Sequence, residues 1–156
     1  MKDDGLVSII TPSWNCAAFV VETIRSIQSQ TYTNWELLFQ DDCSTDNTKE
    51  IVSYYAANDA RIKYECNAKN SGAAITRNNA LKRANGKWIA FLDSDDIFEP
   101  DMLYSMAERL EATGADAAVC LYDAFDSSTG EPVIDCWMPP EELIQLSVFS
   151  PTEKND

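Results

Sequence analysis

Short apolar runs alternate with amphipathic stretches along most of this chain, and several runs end directly on polar clusters. Leu6-Val7-Ser8-Ile9-Ile10 reads as a buried strand stopped by Thr11-Pro12. Trp35 to Phe39 reads as a second strand, Ile62 to Glu65 as a short third, Trp88 to Leu92 as a fourth ending at Asp93, and Ala115 to Tyr122 as another. Between the first two, Val20, Ile24 and Ile27, with Val21 beside them, recur at helical spacing and predict a helix over Ala17 to Gln30. A second helix is predicted over Asp46 to Asn58, with Ile51, Val52 and Tyr55 on one face and Thr45 or Asp46 as N-cap. A third runs from Ala73 to Ala84 and is ended by Asn85-Gly86. Pro100 opens a fourth, with Leu103, Met106, Ala107 and Leu110 inward and Gly114 as the stop. Strands and helices alternating at these lengths predict β/α units around a mostly parallel sheet, an α/β fold.

Beyond Tyr122 the pattern weakens. Asp126-Ser127-Ser128-Thr129-Gly130 reads as a hairpin turn, Pro139-Pro140 starts a short amphipathic piece over Glu141 to Val148, and Ser150 to Asp156 is a polar tail. The expected division is an α/β domain over residues 1–125 followed by a hairpin, short helix and tail over 126–156.

Charge and composition exclude several classes. Twelve Lys and Arg stand against 26 Asp and Glu, a formal charge of −14, so neither nucleic acid nor an anionic membrane surface is an expected partner. No apolar run approaches the roughly 20 residues of a membrane helix, and Met1-Lys2-Asp3-Asp4-Gly5 does not read as a signal peptide. There is no histidine, which removes every Ser/His/Asp, Cys/His and His-metal mechanism from this chain. Cys16, Cys43, Cys66, Cys120 and Cys136 form no CxxC pair and are expected to be reduced thiols of a cytoplasmic protein. Peripheral membrane association would come only through partners.

In open parallel sheets ligands bind at the carboxyl ends of the strands. Here the first strand ends in Thr11-Pro12-Ser13-Trp14-Asn15, the second in Asp41-Asp42-Cys43-Ser44-Thr45-Asp46 and the fourth in Asp93-Ser94-Asp95-Asp96. Parallel strands put both acidic clusters on one edge. Two like charges about 4 Å apart repel by about 4 kcal/mol at an effective dielectric of 20, so a cation or hydrogen-bonding ligand is expected. Oxygen ligands without histidine favour Mg²⁺ or Mn²⁺, ions often held by one or two carboxylates plus substrate phosphates. Neither G-x-x-x-x-G-K-[ST] nor G-x-G-x-x-G occurs, so phosphate charge falls to the metal and to Arg77 or Lys69. Each feature has a plainer reading. Asp41-Asp42 and Ser44 could be a turn and cap, and Asp93 to Asp96 a turn before Pro100. Trp14 could be half-buried core, Arg77 a solvated helix residue, and Trp35 and Trp88 at strand starts are expected in the core.

The ordered segments Val7 to Asn15, Gln28-Ser29-Gln30-Thr31, Trp35-Glu36-Leu37, Asp41 to Asp46, Asn70-Ser71-Gly72, Thr76-Arg77-Asn78, Gly86 to Asp96 and Pro100-Asp101 together resemble family 2 glycosyltransferases of the GT-A fold, from about Leu6 to Tyr122. The resemblance implies a Rossmann-like nucleotide-diphospho-sugar transferase fold and a hexosyltransferase-type enzyme of polysaccharide biosynthesis. It also implies a nucleotide-sugar donor, most commonly a UDP-sugar, bound with Mn²⁺ or Mg²⁺, and a saccharide or lipid-linked acceptor. By motif position Thr11 and Trp14 would line the nucleoside pocket, with Pro12 between them. Trp14 stands where the family usually has Tyr or Phe. Asp42 would hydrogen-bond the base with Asp41 beside it, and Arg77 would sit near the diphosphate or base. Asp93 and Asp95 form the D-x-D motif, Asp93 facing ribose or sugar with Ser94 beside it and Asp95 ligating the metal. Asp96 is a third candidate. Cys43 replaces a frequent Gly, which implies a changed turn. The implied chemistry is inverting displacement at the anomeric carbon.

The family's general base lies well downstream of the D-x-D, and the Pro-Pro-Glu-Glu-Leu context of Glu141 and Glu142 does not match it. The expectation is a donor-binding half without the acceptor half, with weak or absent transfer and an uncovered sheet edge that favours self-association. Two other readings compete. A phosphoacceptor domain of the response-regulator kind would place its acidic pair after the first strand, where this chain has Thr-Pro-Ser-Trp-Asn. A non-catalytic nucleotide-sugar-binding module would keep the D-x-D and lack turnover.

Overall fold

The computed structural model describes residues 5–120, 123–133 and 148–149. The chain divides into two units, Met1–Tyr104 and Ser105–Asp156.

The first unit contains β1 (Val7–Ser13), α1 (Val20–Gln28), β2 (Trp35–Asp41), α2 (Thr48–Asn58), β3 (Ile62–Cys66), α3 (Ala73–Leu81) and β4 (Trp88–Phe91). The strands form one sheet in the order β3-β2-β1-β4, and every pairing is parallel. β1 and β2 are buried along their whole length, as the centre of a parallel sheet requires. Val7 pairs with Trp35 and Ser13 with Asp41, so both strands deliver their ends to the same edge. Ile10 and Leu38 pack with Ala80 on α3, with Leu81 and Ala84 at the margin. Val20, Ile24 and Ile27 of α1 are fully buried, as their spacing predicts, and each contributes about 1.5–3 kcal/mol of hydrophobic stabilisation.

At the opposite edge a buried Glu36 ties three segments together. Its carboxylate accepts from Ser8 Oγ at 2.6 Å, Lys63 Nζ at 2.5 Å and the Asn85 N–H at 2.9 Å. Burial works against its charge, but these bonds prevail and hold the carboxyl below the ordinary glutamate range.

Several expected boundaries move. β1 runs through Pro12 to Ser13 instead of stopping at Thr11-Pro12. β4 ends opposite Ile10, so Pro12 has a neighbouring strand on one side only and its missing N–H is tolerated as on an edge strand. The α1 helix starts at Val20, after a turn in which the Cys16 carbonyl accepts from Phe19 and Val20. The N-cap of α2 is Asn47, yet Asp46 Oδ1 accepts the Thr48 N–H at 3.0 Å. Trp35 is buried, but Trp88 is only half-buried because β4 lies at the end of the sheet order.

An α4 helix (Met102–Thr113) starts in the first unit, where the Leu103 N–H meets Gln30 Oε1 at 3.0 Å, and continues into the second. Gly114 follows at φ +66°, the left-handed stop that its position predicts. In the second unit β5 (Ala117–Ala118) pairs antiparallel with β6 (Val148–Phe149). Among the described residues the apolar run from Ala115 therefore pairs at Ala117 and Ala118, and Val119 and Cys120 are exposed. The turn at Asp126–Gly130 is closed by a bridge between Phe125 and Pro132. Leu121, Tyr122, Cys136, Pro139, Pro140, Glu141, Glu142 and Ser150 to Asp156 lie outside the described residues. No helix among the described residues is long and apolar enough to cross a membrane.

Candidate nucleotide-sugar site

A cavity of about 710 Å³ opens at the carboxyl edge of the sheet. Its walls come from four successive strand ends and the start of α3: Pro12 and Ser13 at the end of β1 with Trp14 after it, Asp42, Cys43 and Thr45 after β2, Asn70 and Gly72 before α3, Ala73, Thr76 and Arg77 on it, and Asp93, Ser94 and Asp95 after β4. The two acidic clusters thus share one cavity, as parallel strands require.

The adjacent aspartates part company. Asp41 is fully buried and does not line the cavity; its Oδ1 accepts from the Ser44 N–H at 3.0 Å and Ser44 Oγ at 2.5 Å, and its Oδ2 from the Tyr64 hydroxyl at 2.8 Å. Burial and the Asp41 carboxylate push the Tyr64 phenol well up. Asp42 does line the cavity, and its carboxylate accepts from Asn67 Nδ2 and from the N–H groups of Ser71 and Gly72. Its burial opposes charge, but these bonds hold the carboxyl below the usual aspartate range. Asp42 is therefore an ionised acceptor at working pH.

Cys43 turns the chain directly after them at φ +62°, a left-handed conformation that glycine fills at least cost. Its Sγ donates to the Asn67 carbonyl at 2.9 Å. Asn15, also left-handed at φ +52°, locks the two loops together: its N–H meets Ser44 Oγ at 2.8 Å and its Oδ1 takes the Thr45 N–H at 2.7 Å. The neighbouring Trp14 is 59% exposed, so it is a rim residue and not core.

Thr11 does not reach the cavity. It is fully buried within β1, and its Oγ1 has no hydrogen-bond partner among the described residues. Lys69 is exposed and likewise absent from the lining, whereas Arg77 is in it, paired with Asp93. Asp93 is half-buried, Asp95 exposed, and the Ser94 carbonyl is anchored by Thr23 Oγ1 at 3.0 Å. Partial desolvation, together with the Asp95 and Asp93 carboxylates, raises the Asp96 carboxyl above its ordinary range.

The D-x-D carboxylates fit a hard divalent ion in part. Among the described residues no three Asp, Glu, Cys or His side chains converge as a metal cage. Two carboxylates on an open cavity wall, with diphosphate oxygens completing the shell, is the arrangement that Mg²⁺ and Mn²⁺ accept.

Asn67, Ser71 and Thr76 carry site geometry that the sequence did not single out. Asn70-Ser71-Gly72 and Thr76 stand in the sequence only as family segments, and Asn67 carries no motif at all.

Comparison with known proteins places this architecture. The family model described as glycosyl transferase family 2 matches residues 8–150. A UDP-Glc:alpha-D-GlcNAc-diphosphoundecaprenol beta-1,3-glucosyltransferase of Escherichia coli, WfgD, is 53% identical over 96 residues, 62% of this chain and 37% of its own length. Glycosyltransferase GlyG of Streptococcus pneumoniae is 33% identical over 125 residues, 80% of this chain and 42% of its own. The crystal structure of S. aureus TarS 1-349 in complex with UDP-GlcNAc superposes with a TM-score of 0.69 at 32% identity, covering 72% of this chain and 33% of that one. A mannosyltransferase from Pyrobaculum calidifontis, in complex with GDP-Man and Mn²⁺, gives 0.69 at 26% identity over 74% of this chain and 35% of that one. The chain thus spans about two-fifths of the length of these curated relatives.

Proposed function

The chain belongs to glycosyltransferase family 2, and from that premise we propose that its cavity binds the nucleoside diphosphate of a UDP-sugar with a divalent ion, for inverting transfer to an acceptor hydroxyl. The observation that carries this reading is the meeting of Trp14, Asp42, Arg77, Asp93 and Asp95 around one cavity. Trp14 offers an exposed indole face for stacking on a base. Asp42 offers an ionised acceptor for a base N–H. Arg77 is the cation within reach of a diphosphate, with Pro12 and Ser94 completing the walls. Asp95 and Asp93 would hold Mn²⁺ or Mg²⁺. When bound, the ion supplies Lewis-acid stabilisation of the departing diphosphate. Uridine is favoured over other nucleosides because WfgD is named for UDP-Glc and TarS was crystallised with UDP-GlcNAc. The acceptor class is a saccharide or a lipid-linked saccharide, the latter on the name of WfgD. Thr11 and Asp41 act from within the strands and not as ligands.

A second reading is a nucleotide-sugar-binding unit that does not transfer. It is favoured by the cavity's carboxylates: Asp42, Asp93 and Asp95 all have donor-side roles, leaving none to deprotonate an acceptor. Incubation with UDP-sugars and a lipid-linked saccharide separates the two. Product formation selects the transferase; tight UDP binding without product selects the binding unit; neither would refute both.

Self-association belongs to the same proposal. Among the described residues β4 pairs with β1 alone, and its Ile89 and Phe91 are exposed.

A further inference from the structure

Asn67, the residue that follows β3, does not line the cavity, yet it engages every polar atom it has. Its Nδ2 donates to Asp42 Oδ1 at 2.7 Å and to Thr76 Oγ1 at 3.0 Å. Its Oδ1 accepts from Gln40 Nε2 at 3.0 Å and Asn79 Nδ2 at 2.9 Å. Its N–H donates to the Asp41 carbonyl at 2.8 Å, and its own carbonyl accepts from Cys43 Sγ. One side chain, only 9% exposed, thereby joins β2, the end of β3 and α3 around a single carboxylate.

The remaining bonds to the Asp42 carboxylate come from backbone. Ser71 N–H spans both oxygens at 2.8 and 3.0 Å, and Gly72 N–H meets Oδ2 at 2.7 Å. Those amides sit on the loop before α3, and Asn67 is the side chain that fixes Oδ1 against them. A carboxylate held in this way is a directional acceptor. It suits a base that presents an imide N–H, such as uracil, and rejects cytosine, whose ring nitrogen at that edge is itself an acceptor.

We propose that Asn67 is a positioning residue for nucleoside recognition, setting the orientation of the Asp42 carboxylate that selects an imide-bearing base. The inference rests on the UDP-sugar reading of the cavity and adds the residue that determines base preference.

The test is calorimetric titration with UDP and CDP, in the presence of Mn²⁺, at about pH 7.5 and about pH 5. Asn67→Asp keeps the shape and removes the donor, setting two carboxylates against each other. At the higher pH it is expected to weaken UDP binding about tenfold or more and to erase the preference for UDP over CDP. At the lower pH one shared proton lets one carboxyl donate to the other as the amide does, and UDP affinity returns to within about threefold of wild type. Wild type at the same two pH values accounts for the other ionisable groups around Asp42: Asp41 and Cys43 in its own turn, Tyr64 and Cys66 on β3, Arg77 on α3, and Asp93 and Asp95 after β4. Asn67→Ala should lose the preference at both pH values, and it carries the test if Asn67→Asp does not fold. A wild type that binds UDP, with both Asn67 variants keeping its preference, overturns this inference alone. Acid recovery that fails in a folded Asn67→Asp does the same. A wild type that binds no UDP overturns the cavity reading and the inference with it.

Discussion

Arg77 on α3 and Asp93 after β4 form an ion pair across the cavity, with Nη2 2.5 Å from Oδ1. Both side chains are partly exposed, so the pair contributes little to stability. Its consequence lies in the site, because the cavity's cation occupies a carboxylate of the D-x-D motif. Arg77→Gln should therefore move two affinities in opposite directions. UDP binding weakens about tenfold through loss of a charged hydrogen-bond donor, whereas Mn²⁺ alone binds more tightly because Asp93 is released. Titrations with UDP and with Mn²⁺ alone read both, and a parallel loss of the two would contradict the arrangement.

Gly86 has no room for a side chain. A Cβ there would stand 2.5 Å from the Ser8 nitrogen, 2.7 Å from the Trp88 oxygen and 2.8 Å from the Leu6 oxygen, all backbone atoms of the β1–β4 pairing. Gly86→Ala should cost roughly 3 kcal/mol or more, near the upper end of single substitutions. Urea unfolding checks this, and a midpoint equal to wild type would contradict it.

Asp59 links the end of α2 to its surroundings. It accepts from the Arg61 guanidinium at 2.8 Å and from Gln28 Nε2 at 3.2 Å, and the Arg61 guanidinium itself stacks 3.7 Å over Trp35. The Arg61 bonds lower the Asp59 carboxyl to about 2 against the opposing effect of burial. A depressed carboxyl stabilises the fold above its unfolded value, near 3.9, and that stability is lost as pH falls toward the folded value of about 2. Arg61 is 40% exposed, and after discounting for solvent screening the contribution is about 1 kcal/mol. Asp59→Asn should lose that amount at neutral pH and flatten the acid limb of the stability profile. Thermal unfolding between about pH 2 and pH 7 measures it, and an unchanged acid limb would refute the assignment.

Phe91 is 55% exposed on β4. If the β4 edge drives self-association, Phe91→Asp should shift sedimentation toward monomer. An identical distribution for wild type and variant would place any association elsewhere.

The sheet was legible because each apolar run is bounded by polar strand ends, and the ends themselves located the cavity. Pro12 reads locally as a stop, but what tolerates it is the end of β4 opposite Ile10, a tertiary fact invisible in the local sequence. Trp88 was expected in the core for the same reason: its strand type was evident, its place at the end of the sheet order was not. The Asp41-Asp42 pair announced a site without saying which carboxylate faces it. That is decided by Ser44 and Tyr64 capturing Asp41 and by the left-handed turn at Cys43. Asn67 left no trace in periodicity or motif, because its role arises only when β2, β3 and α3 converge.

In the proposed function this cavity binds a nucleoside diphosphate through a metal held at the D-x-D carboxylates. Calorimetric titration with UDP, with and without Mn²⁺, on wild type and Asp95→Ala tests it most directly. Wild-type binding should strengthen with Mn²⁺, and in Asp95→Ala the metal effect should be gone. Binding that is absent, or indifferent to both Mn²⁺ and Asp95, would contradict it.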